Sequence, residues 1–175
     1  PTAKMKLQKV GRQPRDLPEI SSNKLILCLS ESFQSAGTIV RWDYYRKESI
    51  VPVYVSVWRH QEGNKYQLVD YNELNPGVID FQTKEIDDDE QIEVQSGDII
   101  GVFYSKYSIS GAVAMATDTQ EVSKDDNGNF HRVAEAEIFE EDLSPGDVVD
   151  LDEVAHKIAN VALALQANIK VADKV

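Results

Sequence analysis

The sequence predicts an all-β protein, an antiparallel two-sheet β-sandwich, and three observations predict it. Apolar and polar residues alternate with period two in several short runs, most cleanly where Val51, Val53, Val55 and Val57 interleave with Pro52, Tyr54, Ser56 and Trp58. Turn-forming clusters separate strand-sized runs at roughly 8–12-residue intervals, the spacing of a sandwich or barrel. The phrase from Gln91 to Tyr104 is the clearest unit: a half-buried strand at Ile92 and Val94, a turn at Ser96-Gly97-Asp98, and a more fully apolar strand from Ile99. Gly supplies positive φ there and Asp bonds the nearby backbone.

The elements follow in order. Residues 1–20 hold Gly11, Pro14, Pro18 and a basic cluster, and read as an extended N-terminal arm, because proline removes donors and disfavours helix around it. Residues 21–175 read as the sandwich domain. Lys24–Ser30 is a first strand. After a turn at Ser35-Ala36-Gly37, Val40, Trp42 and Tyr44 alternate with Arg41 and Asp43, which sends Trp42 and Tyr44 into the core. The valine run follows, with Pro52 marking an edge or irregular start. Gln61–Asn64 is a hairpin connection and Tyr66–Tyr71 the next strand. Asn75-Pro76-Gly77 is a turn before a strand at Val78–Phe81. Ser105–Gly111 is a polar loop and Ala112–Thr117 a weakly defined segment. Asp126–Asn129 carries the Asn-Gly signal of a type I′ hairpin, and Ala134, Ala136 and Ile138 alternate beyond it.

The C-terminus supports two periodicities. Leu151, Val154, Ile158, Val161, Leu165 and Ile169 suit a helix, with Asp150 and Glu153 as a capping box. Val161, Leu163, Leu165, Ala167, Ile169 and Val171 alternate strictly, and this favours a closing strand over 161–171 preceded by a loop or short helix.

Charge is unevenly placed. Lys4, Lys6, Lys9, Arg12 and Arg15 fall within the first 15 residues, which hold no acid; the other 13 Lys and Arg and all 30 Asp and Glu lie beyond, and the net charge is −12. An acidic body repels nucleic acid and anionic membranes, so neither is an expected partner. It suits cations, basic partners or mineral surfaces, and the five basic residues are the expected assembly contacts, docking on the acidic body of a neighbour. No run approaches the roughly 20 apolar residues of a membrane span. At 175 residues the chain is long enough to fold on its core, without disulfide or metal. Cys28 stands alone within Leu25–Leu29 and is expected to be a buried, inert thiol.

Several phrases resemble, in the same order, a β-sandwich module of surface and matrix proteins of invertebrates such as cnidarians, molluscs and sponges. They are Ala36–Tyr45, Val53–Arg59, Tyr66–Val69, Ile92–Gly101, Glu141–Asp147 and Leu163–Ala167. The resemblance implies a secreted, extracellular, lectin-like or jelly-roll-like sandwich, with no established catalytic residues and a strand as its last segment. The opening Pro1, in place of Met, fits a processed mature protein.

Candidate sites are few. Tyr54 and Trp58 lie opposite the valine face, so both are expected on an open surface, where aromatics stack on sugar rings or bury a subunit contact. Asp87, Asp88 and Asp89 sit in a run of seven acids between Glu85 and Asp98 without one base, and carboxylates so crowded favour a divalent cation such as Ca²⁺. Ser123, Asp125, Asn127 and Gly128 match the first half of a calcium loop, but its closing bidentate Glu is replaced by Ala134, so Asp125 and Asn127 make at best a weak ion site beside a plain hairpin turn. His60, His131 and His156 are scattered without zinc spacing or a nucleophile motif, so no catalytic residue is expected. The expected function is that of a non-enzymatic extracellular structural protein that self-assembles into a scaffold, in contact with itself, a glycan or a mineral. The alternative is a lectin-like, carbohydrate- or calcium-dependent binding module.

Overall fold

A computed structural model describes residues 7–120 and 130–172. The chain is an antiparallel two-sheet β-sandwich, and the described residues form fourteen strands: β1 (Leu7–Gly11), β2 (Glu19–Ile20), β3 (Leu25–Ser32), β4 (Gly37–Arg46), β5 (Val53–His60), β6 (Lys65–Leu74), β7 (Asp80–Glu85), β8 (Ile92–Val94), β9 (Ile99–Phe103), β10 (Ala114–Thr117), β11 (His131–Ala136), β12 (Val148–Asp150), β13 (His156–Leu163) and β14 (Leu165–Val171). One sheet has five strands in the order β1-β14-β4-β7, with β8 pairing the other half of β4. The second has nine, in the order β12-β6-β5-β9-β3-β11-β13-β10-β2. No helix among the described residues is long and apolar enough to cross a membrane.

The main core lies between the sheets. Ile39, Trp42 and Tyr44 of β4 meet Ile26, Val53, Val55, Val57, Ile100 and Val102 of the larger sheet. Trp42 and Tyr44 are buried as expected, but Val40 does not share their face. The ladder with β14 skips it, pairing Ile39 with Ile169 and Arg41 with Asn168, so Val40 is the extra residue of a bulge and Ile39 falls into phase with Trp42. Trp42 Nε1 donates to Asn72 Oδ1 at 3.0 Å, which satisfies the indole inside the core.

The outer face of the larger sheet is also buried. Leu25, Leu27, Trp58, Leu68, Ile99 and Phe103 lie under a layer formed by Ile138, Leu143, Val149 and Leu151. Leu143 lies between two 3-10 turns, Glu140–Asp142 and Leu151–Glu153, and Leu151 opens the second. This explains the continuous apolar runs Leu25–Leu29 and Ile99–Tyr104: both of their faces are dry.

Two phrases cross between sheets. β8 belongs to the five-stranded sheet and β9 to the nine-stranded one, so Ser96-Gly97-Asp98 is a corner and not a hairpin. Gly97 supplies φ +93 there. Asp98 accepts from Gln95 N at 2.8 Å and from Arg59 Nε and Nη2 at 2.9 and 3.0 Å, which locks the corner. At the C-terminus the expected single strand is two. β13 runs in the larger sheet and β14 in the smaller, and Ala164 between them donates to Ala114 O at 2.9 Å and accepts from Tyr45 N at 3.1 Å. The alternating residues from Val161 to Ile169 stay buried through the crossing. The segment before 161, expected to be a loop or short helix, holds a 3-10 turn at Leu151–Glu153 and then β13.

The expected arm is also corrected. Within 7–20, β1 pairs β14 and β2 pairs β10, so this stretch joins both sheets. Val10, Arg12 and Leu17 are buried. Their apolar and amphipathic stems bring more burial than the prolines and charges of the sequence suggested.

Candidate functional site

Among the described residues β7 lies at the margin of the five-stranded sheet, bonded to β4 alone. The expected strand Val78–Phe81 is displaced: pairing begins at Asp80, opposite Arg46, and runs to Glu85, opposite Arg41. Val78 and Ile79 therefore lead into the strand unpaired. They are 70% and 56% exposed, and Phe81 is 48% exposed. An open edge with apolar side chains and no proline within it is a template for another strand. Its signal was present in the sequence: Val78 and Ile79 are adjacent, so a strand could not point both inward.

The edge is held firmly from beneath. On the outer face Thr83 Oγ1 donates to Asp43 Oδ1 at 2.6 Å, and Asn168 Nδ2 donates to Asp43 Oδ2 at 3.0 Å. Arg41 Nη2 donates to Asp43 Oδ2 and Asn168 Oδ1, both at 3.2 Å. One carboxylate thus stitches β7, β4 and β14. At the end of β4, the fully buried Arg46 donates to Tyr44 Oη at 3.2 Å, to the Glu48 and Val51 carbonyls at 3.0 and 2.8 Å, and to the Asn75 carbonyl at 3.0 Å. The loops bearing exposed Ile50 and exposed Val78–Ile79 hang on one guanidinium. A rigid edge of this kind gives up little entropy when a partner docks.

Among the described residues the opposite margin of the same sheet is β1, bonded to β14 alone. Val10 points inward and is buried, while Leu7 and Lys9 point outward and are exposed. Of the expected assembly residues, Lys9 lies on this free edge. Arg12 is buried and Arg15 half-buried, both engaged inside the fold, so neither is an open docking charge. Lys4 and Lys6 lie outside the described residues.

The expected aromatic pair does not form. Tyr54 and Trp58 face away from the valines, as parity requires, but that face is covered. Trp58 is fully buried and donates through Nε1 to Ser56 Oγ at 2.8 Å. Tyr54 is half-buried, stacked on Phe103 with centroids 5.4 Å apart and planes 5° apart, with Tyr71 edge-on at 5.8 Å. Its hydroxyl donates to Glu73 Oε1 at 3.2 Å; desolvation and the charges of Glu73 and Glu140 raise its pKa. Glu140 is raised in turn, by desolvation and by its hydrogen bond and repulsion with Glu141. Burial pushes Glu141 up as well, but hydrogen bonds from Ser105 Oγ at 2.8 Å and Lys106 N at 2.6 Å outweigh it and leave Glu141 low.

Asp87, Asp88 and Asp89, the expected cation ligands, are adjacent in the chain and open to solvent, on and before a 3-10 turn, Asp88–Glu90. Among the described residues no group of three His, Cys, Asp or Glu is arranged to hold a metal ion. Asp125 and Asn127 lie outside the described residues. The histidines are engaged separately: His60 with Gly63 O, His131 with Glu31, and His156 with Val154 O. Cys28 is buried, with its thiol pushed up to about 12 by desolvation and by Glu31, so it is inert at neutral pH. A groove of about 680 Å³ opens beside β8, lined by Thr38, Arg59, Asp70, Gln91, Glu93 and Gln95, and its arginine is already committed to Asp98.

Comparison with protein-family models, with curated proteins and with solved structures gives no match.

Proposed function

We propose that this chain is a non-enzymatic extracellular structural protein, a β-sandwich building block that self-assembles into a matrix or scaffold. The observation that carries the reading is the exposed apolar run Val78, Ile79 and Phe81 on an open, rigidly braced sheet edge. Exposed apolar patches next to unpaired strand edges mark association surfaces. The acidic surface supports the same reading, because a net charge of −12 keeps the free protein soluble until a specific contact forms, and suits a cation-rich or mineral surround. The carbohydrate-dependent form of the lectin-like alternative drew on Tyr54 and Trp58 as an open pair, and the burial of Trp58 weakens that form.

The test is light scattering on the purified protein over a hundredfold range of concentration, with and without Ile79→Asp and Phe81→Asp together. The expected result is mass that rises with concentration and a variant that stays monomeric. A wild-type protein monomeric throughout would end the reading.

A further inference from the structure

We infer that the partner of the β7 edge is the β1 edge of a second copy, so that successive molecules extend the five-stranded sheet head to tail. The inference rests on the self-assembly reading above and supplies its geometry.

Strand direction makes the contact feasible. β1 is antiparallel to β14, β14 to β4, and β4 to β7. β1 and β7 therefore run in opposite directions. A copy displaced along the sheet, without being turned over, brings its β1 beside β7 as an antiparallel neighbour, and the alternation of the sheet continues across the junction. The lengths agree: β1 has five residues and β7 six. The faces agree too. Phe81, Thr83 and Glu85 lie opposite Tyr45, Asp43 and Arg41 on the outer face, because Trp42 and Tyr44 fill the inner one. Leu7 and Lys9 are the outward residues of β1. In the extended sheet, Leu7 and Lys9 share one face with Phe81 and Glu85.

Charge selects this arrangement over its rivals. A two-fold dimer that paired β7 with β7 would also be antiparallel. In full register it would set Asp80 of each copy opposite Glu85 of the other, with Asp87–Glu90 close behind. A β1–β1 dimer would set Lys9 near Lys9. Like charges directly across a ladder are destabilising. The head-to-tail contact puts the basic edge against the acidic one. Upstream of Leu7 the sequence carries Lys4 and Lys6 and no acid, and downstream of Glu85 it carries four acids to Glu90 and no base. An antiparallel ladder brings the N-terminal end of β1, with Lys9, beside the C-terminal end of β7, with Glu85. The contact is heterologous, joining unlike edges, so each addition leaves one free β1 and one free β7. Such an interface does not close on two copies, and sheet twist winds it into an open filament.

Two variants blocked at one edge each test this. Leu7→Asp with Lys9→Asp blocks β1; Ile79→Asp with Phe81→Asp blocks β7. All four residues are exposed, so the fold persists, which near-ultraviolet circular dichroism of the buried Trp42 and Trp58 verifies. Light scattering reads the mass of each variant and of their equimolar mixture. Each alone is expected to remain monomeric, and the mixture to double in mass and stop, because one intact β7 meets one intact β1. A β1-blocked protein that dimerises alone would establish β7–β7 pairing and overturn the inference, as would a β7-blocked protein that dimerises alone, while self-assembly itself would stand. A mixture that stays monomeric although the wild type assembles would also overturn it. Wild-type protein that never assembles would instead remove the reading beneath it.

Discussion

The two sheets of this sandwich treat their outer faces oppositely. The outer face of the nine-stranded sheet lies under Ile138, Leu143, Val149 and Leu151, while the outer face of the five-stranded sheet carries Arg41, Asp43, Thr83 and Asn168 in a hydrogen-bonded polar array. The covered face does structural work, whereas on the other Asp43 and Asn168 are buried in the array and Leu7, Lys9, Phe81, Thr83 and Glu85 at the margins stay exposed. The same type of residue therefore has opposite consequences in the two places: Trp58 on the first is part of a core, and Phe81 on the second is a surface.

The largest effect should come from the covered face. Trp58→Ala removes a fully buried indole beneath a layer that cannot fully collapse, and should cost about 3–5 kcal/mol in denaturant unfolding. A loss under about 1 kcal/mol would mean that the 138–151 layer is not packed on the sheet. Arg46→Met comes next. It keeps the volume but leaves the Glu48, Val51 and Asn75 carbonyls without their charged donor, at a cost of at least about 3 kcal/mol. It should also loosen both loops at that end, read as faster amide exchange over 47–51 and 75–79.

Gly101→Ala tests the covered face from its backbone. A Cβ there would stand 2.9 Å from the Ile26 carbonyl and 3.0 Å from Trp58 Nε1. Overpacking against backbone and a fixed ring costs about 1–3 kcal/mol, measurable as a lowered denaturation midpoint.

Alkaline pH separates a buried polar group from the open face. Tyr104 is wholly buried, accepts from Ala112 N at 3.0 Å, and hydrogen-bonds Ser21 Oγ at 3.0 Å; desolvation raises its pKa. In the unfolded chain the phenol ionises near ~10. Its folded value is higher, so the stability linked to it is complete below pH ~10 and falls as the pH rises beyond. Thermal unfolding should show a melting temperature that drops above pH ~10, less steeply in Tyr104→Phe. An equal drop in that variant would assign the effect to Tyr54, Tyr66 and Tyr71, whose pKa values desolvation also raises.

Much of this division was legible in the sequence, and the part that was not has one cause. Period-two alternation located strands and assigned faces correctly: Val53, Val55 and Val57 are on one side of β5, and Tyr54 and Trp58 on the other. Parity says which residues share a face. It does not say whether anything covers that face. The cover over Trp58 comes from residues about 80 or more positions later, around acid-rich turns, and the local pattern of Ile138 or Leu151 does not say which distant strand they pack on. Val40 misled for a related reason, since a bulge resets parity without a sequence mark. At β1, Val10 between charged and proline-rich neighbours was too short a signal to show a strand. The open edge at Val78–Phe81 was legible in its composition but not in its position, because the turn at Asn75–Gly77 extends two residues farther than its own chemistry demands.

The smallest effect on stability should come from the open edge, and it sharpens the comparison most. Phe81→Ser exchanges a large aromatic for a small polar side chain, yet the ring is 48% exposed and its neighbours across the ladder are the surface of β4. Unfolding free energy should change by no more than about 0.5 kcal/mol. Assembly should respond much more strongly, because at a contact the same ring becomes a buried anchor, and losing such an anchor costs about 2 kcal/mol or more per junction. The midpoint concentration for mass growth should therefore rise by a factor of roughly 30 while the denaturation curve stays in place. If both curves moved together, Phe81 would be acting as a core residue, and the two faces of this sandwich would not differ in the way their coverage indicates.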